Sequence, residues 1–259
     1  MSPAARAKSS KPKPKVRRRR LPTGGRERAP IVVERLKLEY GDAHTELDFG
    51  NPWQLLVSVI LSAQTTDVNV NSVTPALFAR YPSVADLAAA EESDVEAIVH
   101  KTGFFRSKAR AIREMSQDLV LLHDGEVPSR MEDLVKLRGV GRKTANVVLG
   151  VAFGVPGFAV DTHVTRLTRL LRLTSSSDPV KIEEDVCSIV PASEWTGLSL
   201  RLILHGRRVC IANRPRCHEC VLADICPSAE LGLMRPRATP RHRAAKARWT
   251  PVGCSGAGL

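Results

Sequence analysis

The sequence predicts an all-α fold, and three features point to it. Helix-start signatures recur: Ser93-Asp94-Val95-Glu96 and Ser129-Arg130-Met131-Glu132 have capping-box spacing, and Asp178-Pro179 sets an N-cap carboxylate before a proline at the first helical position. The apolar run from Trp53 to Gln64 is long for a buried strand and continues into Thr65–Phe78, which favours a buried helix. No segment shows sustained period-two alternation bounded by turn dipeptides, and no internal repeat is visible.

Taken in order, residues 1–29 are rich in Pro, Lys, Arg and Gly without helical periodicity, and read as a disordered basic tail. The helix beginning at Trp53 follows. The box at Ser93 opens a short helix that Gly103 can terminate. The box at Ser129 opens a helix running into the turn Gly139-Val140-Gly141, beyond which an apolar helix starts at Arg142-Lys143. Asp161-Thr162-His163-Val164 reads as an N-cap and first turn of a helix reaching Leu173. Asp178 caps the next helix, and Pro191 stops it. Residues 228–259 are basic and of low complexity, and read like the first tail.

The 259 residues carry a net charge of +12, but its placement matters more than its size. Residues 1–29 hold 11 Lys/Arg against one acid, Glu27, and residues 227–259 hold 6 against one, Glu230. The body between them holds 22 basic and 25 acidic residues, so a site there depends on local cations and backbone amides rather than on a global field. The basic start suits a nucleic-acid-binding arm, because PKPKPK is extended rather than amphipathic; a targeting segment is the alternative. The absence of an uncharged apolar run of membrane-spanning length argues against a membrane span, and the lack of an apolar core near the start argues against a secretory signal.

Cys210, Cys217, Cys220 and Cys226 place four thiols within 17 residues, enough to surround one metal centre. The spacing leaves zinc and an iron–sulfur cluster both open, since one short pair is flanked by two longer gaps. Arg214 and Arg216 form a basic loop inside the array. Cys187 and Cys254 lie outside it and receive no role.

Leu137-Arg138-Gly139-Val140-Gly141 reads as the turn of a helix-hairpin-helix unit. Its glycines let backbone amides point outward with the next helix's N-terminus, a seat for a phosphate oxygen. Arg142 and Lys143 are cations at the positive end of a helix dipole, where they need a reason. A phosphate contact supplies one for both. For Lys143, a lowered pKa near a helix N-terminus supplies another, that of a nucleophile. Asp161 is an N-cap, a catalytic carboxylate, or both; His163 is an electrostatic partner or a satisfied polar residue.

The stretches LSAQTTDVNVN (61–71), GFFRSKA (103–109), GEVPSRMEDLVKLRGVGRKTANVVLGVAFGVP (125–156), AVDTHVTRL (159–167) and LILHGRRVC (202–210), with the four-cysteine array, resemble endonuclease III, a bifunctional DNA glycosylase and abasic-site lyase of the helix-hairpin-helix superfamily. The resemblance covers roughly residues 30–227. It implies two helical lobes flanking a DNA-binding cleft. One is a six-helix lobe, residues 51–155, ending in the hairpin; the other is discontinuous, residues 30–50 with 156–227, and carries a [4Fe-4S] cluster on Cys210, Cys217, Cys220 and Cys226. By resemblance Lys143 and Asp161 are catalytic, and Gln64 fills the gap left by an extruded nucleotide. Phe104 stands at an apolar wedge position that is usually leucine; the pair Phe104-Phe105 is a departure that bears on intercalation. Gly139, Val140, Gly141, Arg142, Thr144, His163, Arg214 and Arg216 complete the expected DNA contacts.

The implied function is base excision repair: removal of oxidised pyrimidines from duplex DNA, then β-elimination at the abasic site through a lysine Schiff base. Double-stranded DNA with damaged bases or abasic sites is the expected partner, bound by a monomer without membrane contact. The expected compartment is a bacterial cytoplasm and nucleoid, or a nucleus if the source is eukaryotic. Two alternatives stand beside this. A mismatch adenine glycosylase would lack Lys143 and carry a sizeable C-terminal domain. A non-catalytic helix-hairpin-helix module with a structural zinc would be colourless.

Overall fold

In the computed structural model, Pro22 and residues 24–229 are described; what was expected of residues 1–21, Thr23 and 230–259 lies outside them. Twelve α-helices follow in order: α1 (Gly25–Tyr40), α2 (Pro52–Leu61), α3 (Asp67–Asn71), α4 (Thr74–Arg80), α5 (Val84–Ala88), α6 (Glu92–Val99), α7 (Phe105–His123), α8 (Met131–Leu134), α9 (Arg142–Ala152), α10 (Thr162–Leu170), α11 (Pro179–Cys187) and α12 (Trp195–Arg208). No strand occurs among the described residues, as the all-α reading requires. None of their helices is long and apolar enough to cross a membrane.

Helix α2 explains the continuous apolar run. Asn51 caps it through Oδ1, which accepts from the Gln54 N–H, Pro52 occupies the first turn, and every residue from Leu55 to Leu61 is buried. A helix apolar all round belongs at the centre of a core. It does not continue to Phe78 as expected: Gln64 turns left-handed at φ 55°, and Thr66 caps a new helix by accepting from the Asn69 N–H. Residues 51–155, expected to hold six helices, hold the eight from α2 to α9, several of them single turns.

Local signals misplaced two helix starts and two helix ends. Helix α6 begins at Glu92, because the Glu91 carbonyl takes the first bonds from Asp94 and Val95; Ser93 therefore lies inside the helix. A true capping box opens α5 instead, between Ser83 and Asp86. Helix α8 is one turn long with Arg130 as N-cap, and no side chain caps it. Asp178 does cap α11, its carboxylate accepting from the Lys181 N–H, yet α11 ends at Cys187, ahead of Pro191. Helix α10 ends at Leu170, short of Leu173, and Arg172 turns left-handed just beyond it.

The largest correction concerns the N-terminal tail. Residues 25–29 are helical, and Arg28 is only 2% exposed. Its guanidinium donates to the carbonyls of Ile225 (3.0 Å), Leu171 (2.7 Å) and Pro22 (2.9 Å). A charge is tolerated there because every face of it finds an acceptor. Composition alone assigned this residue to the basic tail. Arg28→Ala strands buried carbonyls and is expected to destabilise the protein by about 3 kcal/mol, read as a lower urea midpoint.

Residues 24–229 lie in one compact unit, and their buried apolar side chains gather in two clusters. The first draws on residues between Leu47 and Leu149, the second on Ala29, Val32 and Leu36 together with residues from Phe158 to Ile225. Helix α9 touches both α2 and α12. Gly150 permits the second contact: a Cβ there would lie 2.5 Å from the Thr196 hydroxyl.

Candidate active site and thiol cluster

The glycine turn is built as its sequence suggests. Gly139 sits at φ +74°, where a side chain would strain the backbone and press on Ala111. The Val140 N–H returns to the Leu137 carbonyl at 3.1 Å, and the Arg138 N–H is held by Asp118 at 2.9 Å. Val140 is 5% exposed, so its side chain anchors the turn in the core. Gly141 is the extended N-cap of α9 and brings no capping side chain. The first-turn amides of α9 therefore remain open to an anion.

Arg142, expected at a phosphate, is committed elsewhere. Its Nε and Nη2 form a two-pronged pair with Glu183 of α11, both at 2.9 Å, and Asn146 also donates to Glu183 at 3.1 Å. The bond to Glu183 raises the guanidinium pKa above its usual value. Lys143, the next residue, is exposed, and Thr144 is half-buried.

Lys143 and Asp161 line one cavity of about 90 Å³, where residues from both apolar clusters meet. Asp161 is an N-cap: its Oδ1 accepts from the Val164 N–H at 2.8 Å, while no hydrogen bond to Oδ2 occurs among the described residues. One oxygen thus serves the helix and the other is free for chemistry. His163, half-buried, has its ring against Gly206, where a Cβ would come within 2.8 Å of Nδ1. Burial lowers its pKa from the ordinary histidine value.

No motif in the sequence marks the ionic network in this cavity's wall. Arg207 Nη1 donates to Glu46 at 2.7 Å and to Asp67 at 2.8 Å, and Arg208 adds a bond to Glu46 at 2.9 Å. Burial opposes the Arg207 charge, but the two carboxylates outweigh it and raise its pKa. Arg207 lies within the recognised stretch at 202–210, yet its partners are some 140 and 161 residues away.

Gln64 and Phe104 share an unusual trait. Both are exposed and left-handed, Phe104 at φ 48° and 66% exposed. Such conformations in non-glycine residues cost free energy and concentrate at functional sites. Helix α3, which follows Gln64, packs against the 3-10 turn His100–Thr102, which precedes Phe104. The Phe104 loop is pinned from below by buried Lys108, whose ammonium donates to the Thr102 carbonyl at 2.7 Å. Phe105 is held differently, its ring 4.4 Å from that of His100.

The four array cysteines are free and half-buried, and Cys210, Cys220 and Cys226 pack against the second cluster. Burial raises the pKa of each of these three, that of Cys220 to about 12, and the neighbouring thiols reinforce the rise. Buried His205, another residue not singled out beforehand, brings Nε2 within 3.3 Å of the Cys220 sulfur and Nδ1 within 2.9 Å of the Tyr40 hydroxyl. Among the described residues, no three His, Cys, Asp or Glu side chains converge tightly enough to hold a single metal ion. Arg216 bonds back to the Arg208 carbonyl and pairs with Glu219, whereas Arg214 is exposed and has no ion pair among the described residues.

Residues 57–192 match the HhH-GPD superfamily of base excision DNA repair proteins. Endonuclease III of Synechocystis is 50% identical over 206 residues, covering 79% of this chain and 94% of that protein. Two solved structures align across 79% of this chain and 96% of their own. One, a non-covalent endonuclease III–DNA complex, has a TM-score of 0.75 at 38% identity. The other, a trapped endonuclease III–DNA covalent intermediate, has 0.76 at 39%. Fold and site together thus define a helix-hairpin-helix enzyme of base excision DNA repair. The chain belongs to the endonuclease III family, and is a DNA glycosylase of that kind.

Proposed function

We propose that this chain excises oxidised pyrimidines from double-stranded DNA and then nicks the strand at the resulting abasic site. The carrying observation is that Lys143 and Asp161, 18 positions apart in sequence, line one cavity. A base within a duplex is out of reach, so the nucleotide is flipped outward, at least cost for a damaged, poorly stacked base. Gln64 and Phe104 occupy the vacated space and bend the duplex. The open first-turn amides of α9, from Arg142 to Thr144, and the exposed Arg214 hold phosphates, a sequence-independent grip.

The Lys143 amine attacks the sugar C1′ as the bond from C1′ to the base breaks and the base departs with a proton. Ring opening yields an iminium between Nζ and C1′. Loss of the C2′ proton then expels the 3′ phosphate. The free oxygen of Asp161 takes the proton from the attacking amine and stabilises the developing positive charge on the sugar. The trapped covalent intermediate known for a related endonuclease III supports this route.

Cys210, Cys217, Cys220 and Cys226 would hold a [4Fe-4S] cluster. Burial raises the pKa of the Cys210, Cys220 and Cys226 thiols, and a cationic centre would draw them into the thiolate form. A single zinc would require four sulfurs about 2.3 Å from one ion. A cluster gives each thiolate a different iron, and so suits thiols that do not converge on one point. When bound, it cross-links the end of α12 to the following loop and presents Arg214. The two apolar clusters are read as the cores of two lobes, residues 51–155 and residues 30–50 with 156–227, with α1 extending the second back to Gly25 and Leu47 packing into the first; the chain acts as a monomer.

Duplexes each carrying one defined lesion test this reading on protein purified without chelator. Release of oxidised pyrimidines with strand nicking, from a brown protein, is expected. Exclusive release of adenine from mispairs, or a colourless zinc protein without activity, would replace it with one of the rival readings.

A further inference from the structure

We propose that Arg207 is a specificity-determining residue of the base pocket, donating hydrogen bonds to the carbonyl edge of an extruded pyrimidine while Glu46 and Asp67 hold it in place. This rests on the reading of the Lys143–Asp161 cavity as the site of base excision.

Arg207 lines that cavity from α12, and its side chain is 39% exposed. Both of its carboxylate bonds leave from Nη1, one to Glu46 in the loop before α2 and one to Asp67 at the start of α3. Nη2 and Nε have no hydrogen-bond partner among the described residues, although a guanidinium presents five N–H donors. The carboxylates keep the group charged and fix its plane, and the remaining donors are left for a ligand. A donor-only group reads acceptors.

The chemistry of oxidised pyrimidines matches this reader. Oxidation at C5 and C6 destroys ring planarity and stacking, but leaves the acceptors on the opposite edge, the O2 carbonyl and, in thymine products, the O4 carbonyl. A guanidinium aimed at that edge recognises what different lesions share and is indifferent to what distinguishes them. An exocyclic amino group in the same position would meet another donor and be rejected.

Arg207→Lys separates reading from architecture. A lysine can still pair with Glu46 and Asp67, but lacks the spare donors on a rigid fork. Two substrates are compared in single turnover: a duplex with one thymine glycol, and the same duplex with a preformed abasic site, which has no base to read. Base release is expected to fall roughly 10- to 100-fold, the worth of a charge-assisted hydrogen bond, while nicking at the abasic site changes by less than about twofold. Equal losses on both substrates would show that Arg207 only supports the fold, and unchanged base release would show that it does not touch the base; either outcome overturns the proposal. Failure of the unaltered protein to nick the abasic duplex is a separate result, and would overturn the lyase reading instead.

Discussion

Lys143→Gln is expected to abolish covalent capture: borohydride, which reduces an iminium to a stable amine, should trap the unaltered protein on abasic DNA and leave the variant free. The substitution removes the amine and its charge while keeping a polar side chain suited to a helix. Glutamine is close to lysine in helix propensity, and Lys143 is exposed in the first turn of α9, so the fold gains and loses little. An amide nitrogen, however, has no basic lone pair and forms no Schiff base. The expected loss of nicking is at least about 10⁴-fold, equivalent to more than 5 kcal/mol of transition-state stabilisation. DNA affinity should survive, because the amides of the glycine turn and α9 are backbone groups. Undiminished trapping would remove Lys143 from the mechanism.

The second large effect is expected at Asp161, whose carboxylate caps α10 and is proposed to act in the chemistry as well. Asp161→Asn keeps an oxygen for the Val164 N–H, and asparagine caps helices about as well as aspartate, so the unfolding midpoint should scarcely move. The proposed proton acceptor is lost, and turnover is expected to fall about 10²- to 10⁴-fold. Asp161→Ala removes both functions and should add roughly 1 kcal/mol of destabilisation. Kinetics and denaturant unfolding measured on both variants separate the roles. Full turnover in Asp161→Asn would reduce Asp161 to a cap.

What the sequence disclosed was local. The helix class followed from periodicity and caps, and the glycine turn from the need for a positive φ at Gly139. Asp161 and Asp178 were readable as caps because the acceptor and its N–H lie three residues apart. The boundaries at Ser93 and Ser129 failed because a serine three residues before an acid is only permissive, and the backbone chose an earlier or later start. Arg28, Arg142 and Arg207 show the opposite limit. Each is defined by a partner far along the chain, Ile225, Glu183 or Glu46, and an arginine among arginines carries no mark of which carbonyl or carboxylate will receive it. Val140 was legible as part of the turn but not as its buried peg, since burial is settled by what packs above it.

The bond between Arg28 and Ile225 spans 197 positions, and this has a consequence for how the protein is made. The first apolar cluster closes within residues 47–149, so it can assemble while the ribosome is still at work. The second includes Ala29, Val32 and Leu36, synthesised early, but its remaining walls emerge only from Phe158 onward. At about 5–20 residues per second, Arg28 waits roughly 10–40 s for its last acceptor. Until those walls emerge the apolar stripe of α1 lacks its native partners, and whatever shields it on the nascent chain helps decide how much of the protein folds rather than aggregates.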